Sequence, residues 1–414
     1  MKYILIALLL LIPLGMCVRA SDDDDKKDDR DEIPDFSNLD EYIYQPKSNA
    51  VVGMRFITGL KTSFRGNGTI AAPEAVPNAT AANISRTYHD GIVQPDQRFM
   101  KIDNGNGTTG NLPITPDGKT NTWGYENTSQ VIPGDYMQMH IYSDTTTDTL
   151  THSQDSKPSS GLELTSTRDL GKITPRLSWT LLAGMSVNDI QSSMTTPVSS
   201  NLTTVTDTYD LFGQIPPQGP YTAPSTANQN LVNTGGIVVV DSAGDPVTQQ
   251  VDTTVLLGNV PLNRTTTTTS NMTSVVNHFK LHGAYAMFRV GPAFTYNFND
   301  HLKLTVSAGP ALIYSSTTYA VTELLTPQTG NSIEDLVQDT DYKLLPAAYA
   351  DATLEYDLTD KAGLYFGAFY QESGSYTQTV GTVGSGYYGS SANYSTHVDF
   401  SNQQGFRTGM TIRF

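Results

Sequence analysis

The chain has 414 residues and a formal net charge of −16, with 41 acidic against 25 basic side chains, a balance that argues against nucleic acid as a partner. Its one cysteine, Cys17, cannot support a disulfide scaffold. Beyond the N-terminus every hydrophobic stretch is interrupted by Asp, Asn, Thr or Gly, so none approaches the roughly 20 apolar residues of a spanning helix. The one membrane-spanning structure left to such a chain is a closed barrel.

Lys2, an apolar run from Tyr3 to Leu14, and then Val18, Arg19 and Ala20 form a secretory signal peptide, with cleavage expected after Ala20. Loss of residues 1–20 removes Cys17 and, with Lys2 and Arg19, takes the net charge from −16 to −18. Acylation of Cys17 is the weaker reading, because Met16 stands where lipoprotein signals carry a small residue. Residues 21–48 open with an unbroken charged run from Asp22 to Glu32, which is expected to be a disordered periplasmic lead. The run has no Gly-punctuated calcium loop.

From residue 49 onward the pattern is one of alternating strands. The first lies near 50–65, with Val52, Met54, Phe56 and Leu60 on one face and Arg55 and Lys61 on the other. Tight polar turns from Asp169 to Lys172, Asn299 to His301 and Thr359 to Lys361 predict hairpins near 159–189, 278–319 and 342–377. A last strand near 401–414 brings the count to eight. Short turns on the periplasmic side, long loops outside and both termini inside require an even number, which eight satisfies. The external connections are then 66–158, 190–277, 320–341 and 378–400, the first two long enough to need structure of their own.

Facing is read from alternation. Leu177, Trp179, Leu181, Ala183, Met185 and Val187 oppose Arg176, Ser178, Thr180, Ser186 and Asn188 in the third strand, and Leu302, Leu304, Val306, Ala308 and Leu312 oppose Lys303, Thr305 and Ser307 in the fifth. In the fourth the apolar residues move from odd positions (Phe279, Leu281, Tyr285, Met287) to even ones (Phe288, Val290, Phe294, Tyr296), which predicts a β-bulge near Phe288. The seventh, around Leu364, Tyr365, Phe366 and Phe369, is apolar on both faces. Two further β-like runs, from Tyr136 to Tyr142 and from Val238 to Val251, would give ten strands if they joined the wall.

The chain closes on Phe406, Met410, Ile412 and Phe414 at alternate positions, a dyad repeat that resembles the terminal assembly signal of bacterial outer-membrane barrels. The expected fold class is therefore all-β, a transmembrane antiparallel up-and-down β-barrel in the bacterial outer membrane. Its lumen-facing charges are Arg55, Lys61, Glu163, Arg289, Lys303, Asp351, Glu355 and Arg407, with Lys280, Asp357 and Arg413 beside them. An eight-stranded barrel is only wide enough for its own side chains to fill, so these charges are expected to pair in a structural network.

Signals of chemistry are sparse. His89 with Asp90, and His152 with Ser153 and Asp155, are the tempting clusters, but no G-x-S-x-G or comparable signature accompanies them. His278 and His282 share one face of a strand, expected to be the lumen face, and read as structural rather than as metal ligands. No cofactor and no metal are expected. Nine Asn-X-Ser/Thr triplets, Asn67 to Asn393, reflect an Asn- and Thr-rich chain. Tyr88 to Gly91, Trp123 to Tyr125 and Asn127 to Val131 resemble stretches of uncharacterised outer-membrane barrels of the Verrucomicrobia type, over about a third of the chain when the terminal strand is included. The resemblance implies location and fold and carries no activity. The expected role is a surface-exposed structural or adhesin-like interaction protein. A narrow porin-like channel is the alternative and a barrel hydrolase the third reading. Expected partners are outer-membrane lipid and lipopolysaccharide, the barrel-assembly machinery and an extracellular partner, with the protein a monomer.

Overall fold

The computed structural model describes residues 48–70, 76–103, 109–113, 115–223, 255–359, 361–383 and 391–413. The expected signal peptide, the charged run from Asp22 to Glu32, the run from Val238 to Val251 and Phe414 lie outside the described residues. Among those described, no helix is long and apolar enough to cross a membrane.

Eight strands form the frame: β1 (Ser48–Thr58), β2 (Ser159–Thr174), β3 (Leu177–Asp210), β4 (Asn263–Asn297), β5 (Leu302–Leu325), β6 (Ile333–Asp357), β7 (Ala362–Ser373) and β8 (Gln403–Arg413). Each pairs antiparallel with its neighbours in sequence, and β1 also pairs with β8, which closes the ring. Closure leaves the ring without an exposed edge, so ladder donors and acceptors find partners within it.

Two of the three tight turns fall where expected. The first does not: β2 runs through Asp169 to Lys172, with register shifts at Asp169/Gly171 and Lys172/Thr174, and turns only at Pro175 and Arg176. Gly171 at φ 138° accepts the bulge without a Cβ clash, and Pro175, having no N–H to give the ladder, ends the strand.

The strands also reach far past the bounds expected of them. β3 and β4 are 34 and 35 residues long, so much of 190–277 is a continuing hairpin rather than loop. The shorter members are extended by separate strands: Lys61–Ile70 follows β1, His152–Asp155 precedes β2, Ser375–Val383 follows β7 and Ser391–Asp399 precedes β8. These pair with one another, and the Tyr136–Thr146 strand bridges Lys61–Ile70 to β3. Tyr136 to Tyr142 thus joins the sheet beyond the eight-stranded ring. Further out, Arg86–Tyr88, Gly91–Val93, Trp123–Tyr125 and Tyr221–Thr222 make a small sheet over a core containing Trp123, Tyr125, Met137, Met139 and Tyr209.

Polarity divides the structure into two halves. Toward the turn end, large apolar residues point outward and are exposed: Val52, Met54, Trp179, Leu181, Phe294, Val306, Leu354, Phe366, Phe406 and Met410. Their inward neighbours are Arg55, Ser186, Arg289, Ser307, Asp351 and Arg407, all buried. Away from the turn end the order reverses. Phe64, Phe279, Leu281, Tyr319, Val321 and Tyr394 fill the interior, while Gln191, Ser193, Thr195, His278, Lys280 and His282 are exposed.

This reversal corrects the β-bulge expected near Phe288. Odd residues of β4 face inward from Val275 to Ala293, and its pairing with β3 has no shift in that stretch. The apolar residues change parity because the apolar face itself changes from inside to outside. A true phase change occurs in the first strand instead. Gly59, at φ 97°, separates β1 from its extension, and Leu60 beyond it is buried while Lys61 is exposed.

Candidate functional site: a buried charge layer across the ring

Within the eight-stranded ring lies a buried layer of five charges contributed by five strands. Arg55 on β1, Glu163 on β2, Arg289 on β4, Asp351 on β6 and Arg407 on β8 are between 1% and 5% exposed. Arg407 donates to Glu163 Oε1 at 2.6 Å, to Asp351 Oδ1 at 2.8 Å and to the Thr353 hydroxyl at 2.6 Å. Arg289 reaches the same two carboxylates, at 2.8 Å to Asp351 Oδ2 and 3.1 Å to Glu163 Oε1, and donates to Thr165. Arg55 lies 3.4 Å from Glu163 Oε2 and donates to Ser186 and to Gln371 Oε1. A buried charge without a partner is expensive, and here each carboxylate sits between at least two guanidinium groups.

Space for three long side chains comes from small residues at the same level. Gly53 and Gly409 leave the room that the Tyr365 ring occupies, and Gly184 lies under Arg289. The Arg55 guanidinium stacks over the Phe369 ring at 3.9 Å and that of Arg289 over Tyr349 at 5.2 Å. The seventh strand therefore sends Leu364 and Phe366 outward and Tyr365 and Phe369 inward against the arginines.

A second cluster lies nearer the turn end. Lys303 pairs with Asp357 at 2.5 Å, and Arg413 pairs with both Glu355 and Asp357. Below the layer a cavity of about 1120 Å³ opens at the turn end, with Arg407, Thr353 and Tyr365 at one side and His301, Lys303 and Arg413 at the other. Above the layer the interior is occupied by the aromatic core, with Phe64 and Phe279 stacked at 5.3 Å and Tyr285 edge-on to Phe400 at 5.3 Å.

Of the expected lumen set, Arg55, Glu163, Arg289, Asp351 and Arg407 come together, and Lys303 and Glu355 join the second cluster. Lys61 does not belong to either. It is exposed, because the break at Gly59 reverses the facing of the Lys61–Ile70 strand; Lys280 is exposed on the outer face of β4. The residues that sequence reading missed are the uncharged partners, Ser186, Thr165, Thr353 and Gln371. Alternation placed Ser186 inward, but no signal tied any of the four to a particular arginine. Phe406, Met410 and Ile412 of the terminal strand are exposed on the outer face, as the alternation expects.

The loop clusters resolve into structural contacts. Asp90 is fully buried; it accepts from the His140 backbone N–H at 2.7 Å and lies 2.5 Å from His140 Nδ1 and 2.8 Å from the Thr329 hydroxyl. A hydroxyl nucleophile needs the far ring nitrogen of such a histidine, whereas Thr329 sits on the same Nδ1 side as the carboxylate. His89 accepts from the Tyr142 N–H at 2.8 Å, and its pKa is lowered by burial, against the pull of Asp90. His152 pairs with Asp148 at 2.7 Å rather than with Ser153 or Asp155. His278 and His282 are exposed on the outer face instead of the lumen face, and His278 bonds Thr195 at 2.6 Å. Among the described residues no three His, Cys, Asp or Glu side chains converge to hold a metal ion.

Comparison with known proteins finds no matching family model and no matching curated protein. Among solved structures, the outer membrane protease OmpT from Escherichia coli is similar over 89% of this chain and 97% of its own, at 10% identity and a TM-score of 0.28. A FadL homologue from Pseudomonas aeruginosa is similar over 88% and 90%, at 9% identity and a TM-score of 0.19. The TodX monoaromatic hydrocarbon channel is similar over 89% and 90%, at 5% identity and a TM-score of 0.14. Likenesses this distant carry no argument about activity.

Proposed function

We propose that this chain is an integral β-barrel of the bacterial outer membrane, in which eight strands anchor a large external half that serves as a surface-exposed structural or adhesin-like interaction protein. The observation that carries the reading is the reversal of polarity along the strands. An exposed apolar exterior around a charged interior is stable in hydrocarbon, whereas an apolar interior under a polar exterior is stable in water. The outward apolar series of β5, Leu304 to Tyr314, spans ten residue steps. At about 3.4 Å per residue and a tilt near 45° that is roughly 24 Å of height, close to the ~25 Å apolar band of such barrels. Membrane lipid, lipopolysaccharide and the assembly machinery are then the partners of the lower half, and an extracellular ligand or surface that of the upper.

A narrow channel is the second reading, favoured by the cavity at the turn end. Against it stand the charge layer and the aromatic core, which occupy the interior above that cavity. We assign no catalytic step to the chain. Planar-bilayer recording of the refolded protein decides between anchor and channel. No stable conductance is expected; steady ohmic channels abolished by neutralising Arg289 or Arg407 would replace the anchor with a pore.

A further inference from the structure

The external half contains a second buried polar group that is opposite in character to the charge layer. Glu323 on β5 and Asp144 on the Tyr136–Thr146 strand are buried, and the buried Asp335 on β6 stands directly opposite Glu323 in register. The partners of Asp144 are the hydroxyls of Ser200 at 3.1 Å and Ser274 at 2.8 Å, and that of Glu323 is the Tyr394 hydroxyl at 2.5 Å. None of the ion pairs among the described residues involves these three acids. Like charges directly opposed across a ladder repel, and a desolvated carboxylate must find a cation or take up a proton.

Oxygen atoms without partners mark where a cation would sit. Glu323 Oε2 and Asp144 Oδ1 are buried and unpartnered, and so is Oδ1 of Asn277, which is itself fully buried. Asn277 is the register partner of Glu323 on β4, and its amide nitrogen donates to the Tyr394 hydroxyl at 3.3 Å. One phenol thus touches both the Glu323 carboxylate and the Asn277 amide, and the two side chains, opposite each other in register, are both buried on the interior face. The backbone of Gly68 approaches so closely that a Cβ there would strike the Glu323 carboxylate.

We propose that Glu323, Asp335 and the Asn277 side-chain oxygen form a site for a hard divalent cation of the calcium class, with Asp144, hydrogen-bonded to Ser274 of β4, adding negative potential. All the donors are oxygen, which selects a hard ion over zinc or copper, and water can complete the shell. A cation there would tie β4, β5 and β6 together at the level where the external half begins its long hairpin. It would also remove the repulsion between Glu323 and Asp335.

The test uses the full chain refolded in detergent and stripped with EDTA. Calcium chloride should raise its Tm saturably, and terbium should bind with tyrosine-sensitised luminescence, because Tyr394 lies against the site. Glu323→Gln, isosteric with the acid, should weaken calcium binding at least tenfold, and Asp335→Asn is the second variant should the first fail to fold. Calcium raising Tm equally in wild type and Glu323→Gln would place the ion elsewhere, on the acidic N-terminal run for example, and overturn the assignment. The absence of any calcium effect, with Glu323→Gln more stable than wild type at pH 7, would assign a protonated carboxyl instead.

Discussion

Leu181 and Thr180 are adjacent on β3, and a lysine at each should separate the two faces of the wall. Leu181 is 44% exposed on the outer face near the middle of the apolar series from Leu177 to Val187. Thr180 lines the turn-end cavity, where Glu355 and Asp357 also point. A lysine on the lipid face costs about 2–4 kcal/mol near the bilayer midplane, so Leu181→Lys should lower the folding equilibrium constant roughly 30- to 700-fold. At Thr180 the new ammonium enters a cavity of about 1120 Å³ with carboxylates on its wall, and crowding sets its cost, about 1 kcal/mol. Urea titrations of both variants in lipid vesicles read the difference directly. Equal destabilisation, or a larger loss for Thr180→Lys, would refute the facing of β3 and with it the membrane reading of the lower half.

The buried acids give two further expected outcomes. Glu163→Gln leaves Arg55, Arg289 and Arg407 with Asp351 as the one carboxylate of the layer, so a loss of about 3–5 kcal/mol is expected in the same titrations; a loss under about 1 kcal/mol would mean that the layer is hydrated rather than buried. In the cation-free protein, burial pushes the Glu323 carboxyl up to about 7 from 4.5, helped by Asp335 and Asp144 and opposed by the Tyr394 hydrogen bond. The folded state then holds a proton that the unfolded state releases, so stability should fall as pH rises from 4.5 to 7. Glu323→Gln should flatten that slope in pH-dependent melts, and an unchanged slope would remove Glu323 as its source.

The reach of the amino-acid sequence here is set by the physical meaning of alternation. A period of two says which face of a strand is apolar, and it brought Arg55, Glu163, Arg289, Asp351 and Arg407 to one side of the wall. It does not say whether the apolar face is inside or outside. Around Phe279 and Leu281 the apolar face is the interior; around Phe288 and Val290 it is the exterior, which on the proposed reading faces a membrane. Without that distinction, one uninterrupted strand has the pattern of two joined by a bulge. Lys61 was misplaced for the related reason that Gly59 resets the phase just before it.

Where apolar residues change parity on a strand that keeps its register, the apolar face has passed from one side of the wall to the other. β4 makes that change between Met287 and Phe288, and β3 makes it between Val187, half-buried on the outer face, and Ile190, buried inside. Register pairs Val187 with Ala286 and Met185 with Phe288, so the two transitions fall at neighbouring positions of one ladder. A soluble sheet has no reason to invert its polarity at the same height on adjacent strands. A wall that leaves hydrocarbon for water must do so, and this physical requirement, more than strand count or terminal residue, is what supports the proposed membrane placement of the lower half of the ring.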